Sequence, residues 1–272
     1  MKTYVGHAWP MALMVLFAGG SGLSAGQSVQ RARPSLEGAM LDVRASAPRY
    51  VLGELVHLDI SVTNVSGGVI PLPAGFDVWE GHVEVAIAFE DEPFRNYRGP
   101  GWGLRDALPH EAIALQAGTT VQTDATILYS HGIETRHLNK RVAGEVAARN
   151  LEEGYALARP GRYRIKAVLH GAGFVETIES HPTEIIVDEP HGPDRDAWAV
   201  LKTDPEYGYF IQAGGPMGHP DSKRSRQILA VLERIVGDYP RSRYAESLGL
   251  AISKHREVRG RLEELRLIQP SR

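Results

Sequence analysis

The stretch YVLGELVHLDISVTNVSGG, residues 50–68, constrains the fold more than any other. Val56, Leu58, Ile60 and Val62 alternate with His57, Asp59, Ser61 and Thr63. Successive side chains of an extended strand point to opposite faces, so this pattern puts four apolar residues on one face and four polar residues on the other. Gly53 precedes the run and the pair Gly67-Gly68 follows it, each a turn signal. The stretch predicts a strand with one face on a core and one face in water.

The same period recurs along the chain from about residue 38 to residue 188. AMLDVRA alternates Leu41, Val43 and Ala45, and HVEVAIAFE alternates Val83, Val85, Ile87 and Phe89. AIALQ and VQTDATILY read as two strands about the turn AGTT, and GRYRIKAVLH, FVETIES and TEIIVDE complete the set. Short half-buried strands between turn signals predict a mainly β domain, an antiparallel β-sandwich or barrel. Residues 130–156 lack the period and read as an insertion between strands, with room for a short helix.

After residue 190 the period changes. DRDAWAVLK reads as a short helix with Asp194 as N-cap, and YGYFIQAGGPMGHPDSK reads as a glycine-rich loop. RSRQILAVLERIVGDYP places Ile228, Leu229, Leu232, Ile235 and Val236 on one helical face, and Pro240 stops it. A second helix follows, with Ser242 as N-cap and Glu246 in the first turn, where negative charge is favourable. The expected organisation is a signal segment at 1–25, a linker at 26–37, a sandwich at 38–190, a linker with a short helix at 191–220 and a helical hairpin at 221–269.

Two segments carry resemblances. GELVHLDISVTNVSGG, followed later by ARPGRYRIKAVL and TEIIVDEP, resembles the immunoglobulin-like or fibronectin-like domains of bacterial exported proteins over about residues 38–190. The resemblance implies an immunoglobulin-like sandwich in which Pro160-Gly161 makes the turn and Tyr163 is a corner tyrosine. The Tyr163 hydroxyl would then bond back to the preceding backbone, and Ile165 would stand where an antibody domain has its second cysteine. ILAVLERIVGDYPRSRYAESLGLAIS resembles a tetratricopeptide-like helical pair. One such pair cannot bury its own apolar face, so it is expected to dock on something else.

Several function classes are set aside by composition. The formal net charge is −3, without the basic excess of a nucleic-acid binder. Lys2, the apolar run Met11–Ala18 and the small residues ending at Ala25 form a secretion-signal pattern, and the run is too short to span a membrane. There is no cysteine to carry a lipid or a disulfide. The expectation is an exported chain, periplasmic or extracellular, with no stable membrane anchor. Asn64-Val65-Ser66 forms a glycosylation sequon, a pattern short enough to arise by chance.

No nucleophile motif, zinc-binding motif or phosphate cradle is present. The histidines, among them His131, His137, His170, His181 and His191, are scattered without metal-ligand spacing, and the acidic run Glu90-Asp91-Glu92 reads as a solvated turn. No metal, cofactor or catalytic residue is therefore expected. The long segment EPFRNYRGPGWGLRDALPH carries Tyr97, Arg98, Trp102 and Arg105 among glycines and prolines. Tyr, Trp and Arg are the residue types enriched at binding hot spots, and long loops on a sandwich commonly carry function. These four are the candidate ligand-binding residues, with inward packing of Tyr97 and Trp102 as the structural alternative. The leading expectation is a non-catalytic binding or adaptor module of the bacterial envelope, its partner a protein or a cell-wall glycan. A protease-inhibitor-like sandwich, which the GELVHLDISVTNVS strand also resembles, is the first alternative; a metal-dependent hydrolase is the second.

Overall fold

The alternating segments become strands of facing sheets. The computed structural model describes residues 36–73, 76, 78, 82–100, 112–132, 151–171 and 176–268. In chain order the strands are β1 (Ala39–Ala45), β2 (Arg49–Val51), β3 (Val56–Asn64), β4 (Ile70–Pro73), β5 (Val83–Phe89), β6 (Arg95–Tyr97) and β7 (Ala112–Leu115). There follow β8 (Thr120–Ile127), β9 (Tyr129–Ser130), β10 (Gly154–Tyr155), β11 (Gly161–His170), β12 (Thr177–Glu179) and β13 (Thr183–Asp188). One sheet runs β1-β3-β8 and a second runs β2-β13-β11-β5-β6, with β12 also paired to β11. The predicted apolar faces meet between them. Val56, Leu58, Ile60 and Val62 of β3 pack with Val83, Val85 and Ile87 of β5 and with Ile165, Ala167 and Leu169 of β11.

Not every ladder is antiparallel. β2 pairs β13 in parallel, with Arg49 opposite Ile186 and Val51 opposite Asp188. The chain leaves β1 in one sheet, passes Pro48, which has no N–H to extend a ladder, and enters β2 in the other sheet. AIALQ and VQTDATILY are strands as expected, but they do not form a hairpin. β7 pairs β4, while β8 pairs β3 along its whole length.

The PGRYRI segment behaves as a corner. The Tyr163 hydroxyl donates to the Arg159 carbonyl at 2.9 Å and accepts from the Arg159 N–H at 3.0 Å. Gly161 has φ +141°, and a Cβ there would lie 2.7 Å from the Phe89 ring, so both conformation and space call for glycine. Ile165 is fully buried. Asn64 of the sequon is also fully buried. Its amide donates to Gly68 O and Leu115 O, each at 2.8 Å, and its carbonyl accepts from Ser66 N and Ser66 Oγ. It is the hub of a turn, with every polar atom in use.

Four helices follow: α1 (Pro193–Leu201), α2 (Pro205–Ala213), α3 (Lys223–Asp238) and α4 (Ala245–Ile268). The expected glycine-rich loop is half helix. Asp204 caps α2 by accepting from Glu206 N, Pro205 sits at its first position, and Gly214 ends it at φ +72°. Those signals lie in the sequence, but the glycines that follow mask them. Two expected N-caps act otherwise. Asp194 lies inside the first turn of α1, whose N-cap is Gly192, and its carboxylate accepts from Arg243 N at 2.8 Å. Ser242 is buried, and its hydroxyl makes no hydrogen bond among the described residues.

The helical pair α3–α4 docks on what precedes it in the chain. Ile228, Leu232 and Ile235 of α3 and Leu248, Ala251 and Ile252 of α4 share a core with Leu201, Phe210 and Ile211. Val51 and Leu128 of the sandwich belong to the same core. Burying one such Leu, Ile or Phe contributes about 1.5–3 kcal/mol, which supplies the stabilisation a lone pair lacks. Residues 191–220 thus hold two packed helices where a linker with a short helix was expected.

Candidate functional site

The sandwich and the helices do not close on each other everywhere. A cleft of about 520 Å³ remains between the outer face of the β3–β8 sheet and helices α2 and α4. Its sheet side carries Ala47, Tyr50, Leu55, His57 and Thr126, and its helix side carries Ile211, Gln212, Leu250, Ala251 and Lys254. Arg243, Glu246, Ser247, Leu250, Ala251 and Lys254 all line it. Their spacings of three and one residues make one continuous stripe along α4 and the turn before it. That stripe was legible in the sequence, but its mixed polarity concealed it.

The charges at one end of the cleft are committed. Glu54 Oε2 accepts from Val51 N at 2.9 Å, and Glu54 Oε1 pairs with Arg243 at 3.0 Å. Burial raises the Glu54 carboxyl above its ordinary value, against the lowering effect of the Val51 bond and of Arg243. The Tyr50 hydroxyl shares a hydrogen bond with Ser46 Oγ and accepts from Ala47 N. Glu246, three residues after Arg243, and Lys254, eight residues further along α4, are exposed and form no ion pair among the described residues. Leu250, between them along α4, is 67% exposed, the most open of the large apolar residues described.

The loop expected to bind starts as structure. Arg95–Tyr97 forms β6 against β5, and Tyr97 is turned inward at 1% exposure. Its hydroxyl donates to Tyr129 O at 2.9 Å and accepts from Gln212 Nε2 at 2.6 Å. Gln212 also donates to Thr126 O and accepts from Tyr129 N, so Tyr97 and Gln212 together tie α2 to the end of β8. Burial holds the Tyr97 phenol well above its ordinary value, in the neutral form. Tyr97 therefore serves the inner packing and has no ring face to offer a ligand. Arg98 is half-buried, and its carbonyl accepts from His131 N at 2.7 Å. Trp102 and Arg105 lie outside the described residues, as does His137.

The acidic turn is accounted for locally. Glu90 adopts φ +48° and accepts from Arg162 N at 2.8 Å, while Arg159 pairs with Glu92 and Arg162 with Asp91. Among the described residues no three His, Asp or Glu side chains gather closely enough to hold a metal. His255 packs against Phe210 at 2% exposure, and burial lowers its proton affinity.

Comparison with known proteins leaves the family open. No protein family and no curated protein matches the chain. Among solved structures, the sporulation control protein Spo0M of Bacillus subtilis is similar at 13% identity and TM-score 0.30, over 60% of this chain and 54% of that one. The alkylpurine DNA glycosylase AlkC of Pseudomonas fluorescens is similar at 11% identity and TM-score 0.29, over 55% of this chain and 30% of that one. A CARDB domain of Pyrococcus furiosus is similar at 10% identity and TM-score 0.27, over 56% of this chain and 94% of that domain. The chain thus spans less than two thirds of the first two. These likenesses are weak and concern β-sandwich outline alone.

Proposed function

We propose that this chain is a non-catalytic, exported binding or adaptor module of the bacterial envelope, and that its partner sits in the cleft between sheet and helices. The observation that carries this reading is Leu250, a 67% exposed leucine lining a concave cleft in which Leu55, Ile211 and Ala251 stand among polar and charged residues. Concave sites with apolar walls and a few polar groups are the usual form of a binding site. Of the two partner classes weighed, a protein or peptide fits better than a cell-wall glycan. Sugars stack on open aromatic faces, whereas Tyr50, the aromatic residue in the cleft lining, is 3% exposed. Two of the four charged residues of the cleft, Glu54 and Arg243, are engaged with each other.

The sandwich is read as immunoglobulin-like, supported by the two hydrogen bonds between Tyr163 and Arg159. The α3–α4 pair is read as a single tetratricopeptide-like unit, with α1, α2 and the sandwich in place of neighbouring repeats. Export follows the signal pattern of residues 1–25.

The test is site-specific photo-crosslinking in the exported compartment of the source cell. A benzophenone amino acid is placed at Leu250 and, as control, at Ile113, an exposed residue of β7. A defined partner captured from position 250 but not from 113 is expected. Equal capture at both positions, or none at 250, would overturn the assignment of the site.

A further inference from the structure

The cleft also carries a charge pattern that selects a ligand class, a selection that rests on the cleft being the binding site. Glu246 and Lys254 are its two charges with no ion pair among the described residues, and they lie eight residues apart on α4. At 1.5 Å rise per residue that separation is about 12 Å. Leu250 stands midway along the helix between them. Lys254 is seated rather than free to swing. Its stem lies over Gly214, where a Cβ would come within 2.3 Å of Lys254 Cδ. The stem lies toward the C-terminal end of α2, where Gly214 has no side chain to displace it.

Anion, apolar contact and cation in a row of about 12 Å complement a ligand with the reverse order. An extended backbone covers about 3.3–3.6 Å per residue, so about three to four residues separate the matching charges. We propose that the cleft binds a short free peptide of three to four residues, its ammonium terminus at Glu246, its carboxylate terminus at Lys254 and an apolar side chain on Leu250. The facing wall suits a backbone in that position, since His57 and Thr126 line it from the sheet side. Glu54 and Arg243 neutralise each other at 3.0 Å and leave the charge preference to the outer pair.

The experiment is calorimetric titration of the full mature chain with the tetrapeptide Ala-Leu-Leu-Ala. Its N-acetyl form, its C-terminal amide and the dipeptide Ala-Leu are titrated beside it. The free tetrapeptide is expected to bind most tightly, with each cap weakening it about 2–5-fold, as fits one exposed ion pair. The dipeptide, too short to reach both charges, is expected to be weaker than either capped form. Glu246→Gln should abolish the effect of acetylation alone and Lys254→Gln the effect of amidation alone, while Leu250→Glu should weaken all forms at least tenfold. The three positions are exposed, so thermal unfolding of the variants should match the parent. Equal binding of free and capped tetrapeptides overturns the peptide-terminus assignment and leaves the cleft standing. Binding of none of the peptides also overturns it, and capture from position 250 then decides separately whether the cleft is a site.

Discussion

Trp198 lies close against Gly53: a Cβ at Gly53 would stand 2.2 Å from Trp198 Cζ3, and Gly53 has φ +78°. Through this contact the β2–β3 turn receives the first helix. The Tyr244 hydroxyl donates to the neighbouring Leu52 carbonyl at 2.5 Å, and Arg243 pairs with Glu54 in the same turn. Segments far apart in the chain therefore meet at one glycine turn. Gly53→Ala should lower stability by about 2–4 kcal/mol, combining overpacking with a left-handed alanine. Denaturant unfolding measures this directly, and an unchanged midpoint would show that Trp198 can move aside at little cost.

The corner tyrosine gives a second measurement. Tyr163→Phe keeps the ring and removes a hydroxyl that both donates to and accepts from Arg159. A loss of about 1–3 kcal/mol is expected, because the partner groups are part-buried and lose their bond. A loss below about 0.5 kcal/mol would mean that water replaces the hydroxyl.

Asn64 should carry no glycan. Its side chain is fully buried, and its amide donates to two carbonyls. Expressed through a glycosylating secretory host, the intact chain should show its unmodified mass at the peptide containing Asn64. A glycosylated yet folded product would contradict the turn described for residues 64–68.

His255 sets a pH dependence. Burial and the nearby Arg259 hold its pKa below the ordinary 6.5 in the folded state. The unfolded chain then binds a proton more readily than the folded one, so stability falls as pH drops from about 7 through 6.5 and below. His131 is shifted in the same direction by burial. His255→Gln should flatten part of the slope of unfolding free energy against pH between about 7 and 5, leaving the share of His131. A slope identical to that of the parent would show that His255 protonates as easily folded as unfolded.

What the chain alone determined is what depends on near neighbours. Alternation at Val56–Thr63 sets one face of β3 toward the core because strand geometry is local, and the PGRYRI corner closes through a bond spanning four residues. The Asp204-Pro205 start of α2 is equally local, although a glycine-rich stretch follows directly after it. Tertiary structure alone decided the rest. β7 and β8, though adjacent in sequence, pair with β4 and β3 rather than with each other, and Leu115 of β7 and Ala125 and Ile127 of β8 reach the core from different ladders. Tyr97 looks like a loop anchor in the sequence, yet it turns inward, since only the fold brings Gln212, 115 residues away, to its hydroxyl. The cleft likewise exists only where two separately legible surfaces, the polar face of β3 and a helical stripe ending at Lys254, meet without closing. No spacing within either surface encodes the distance between them; that distance follows from how Trp198 and Tyr244 seat on the Leu52–Gly53 turn.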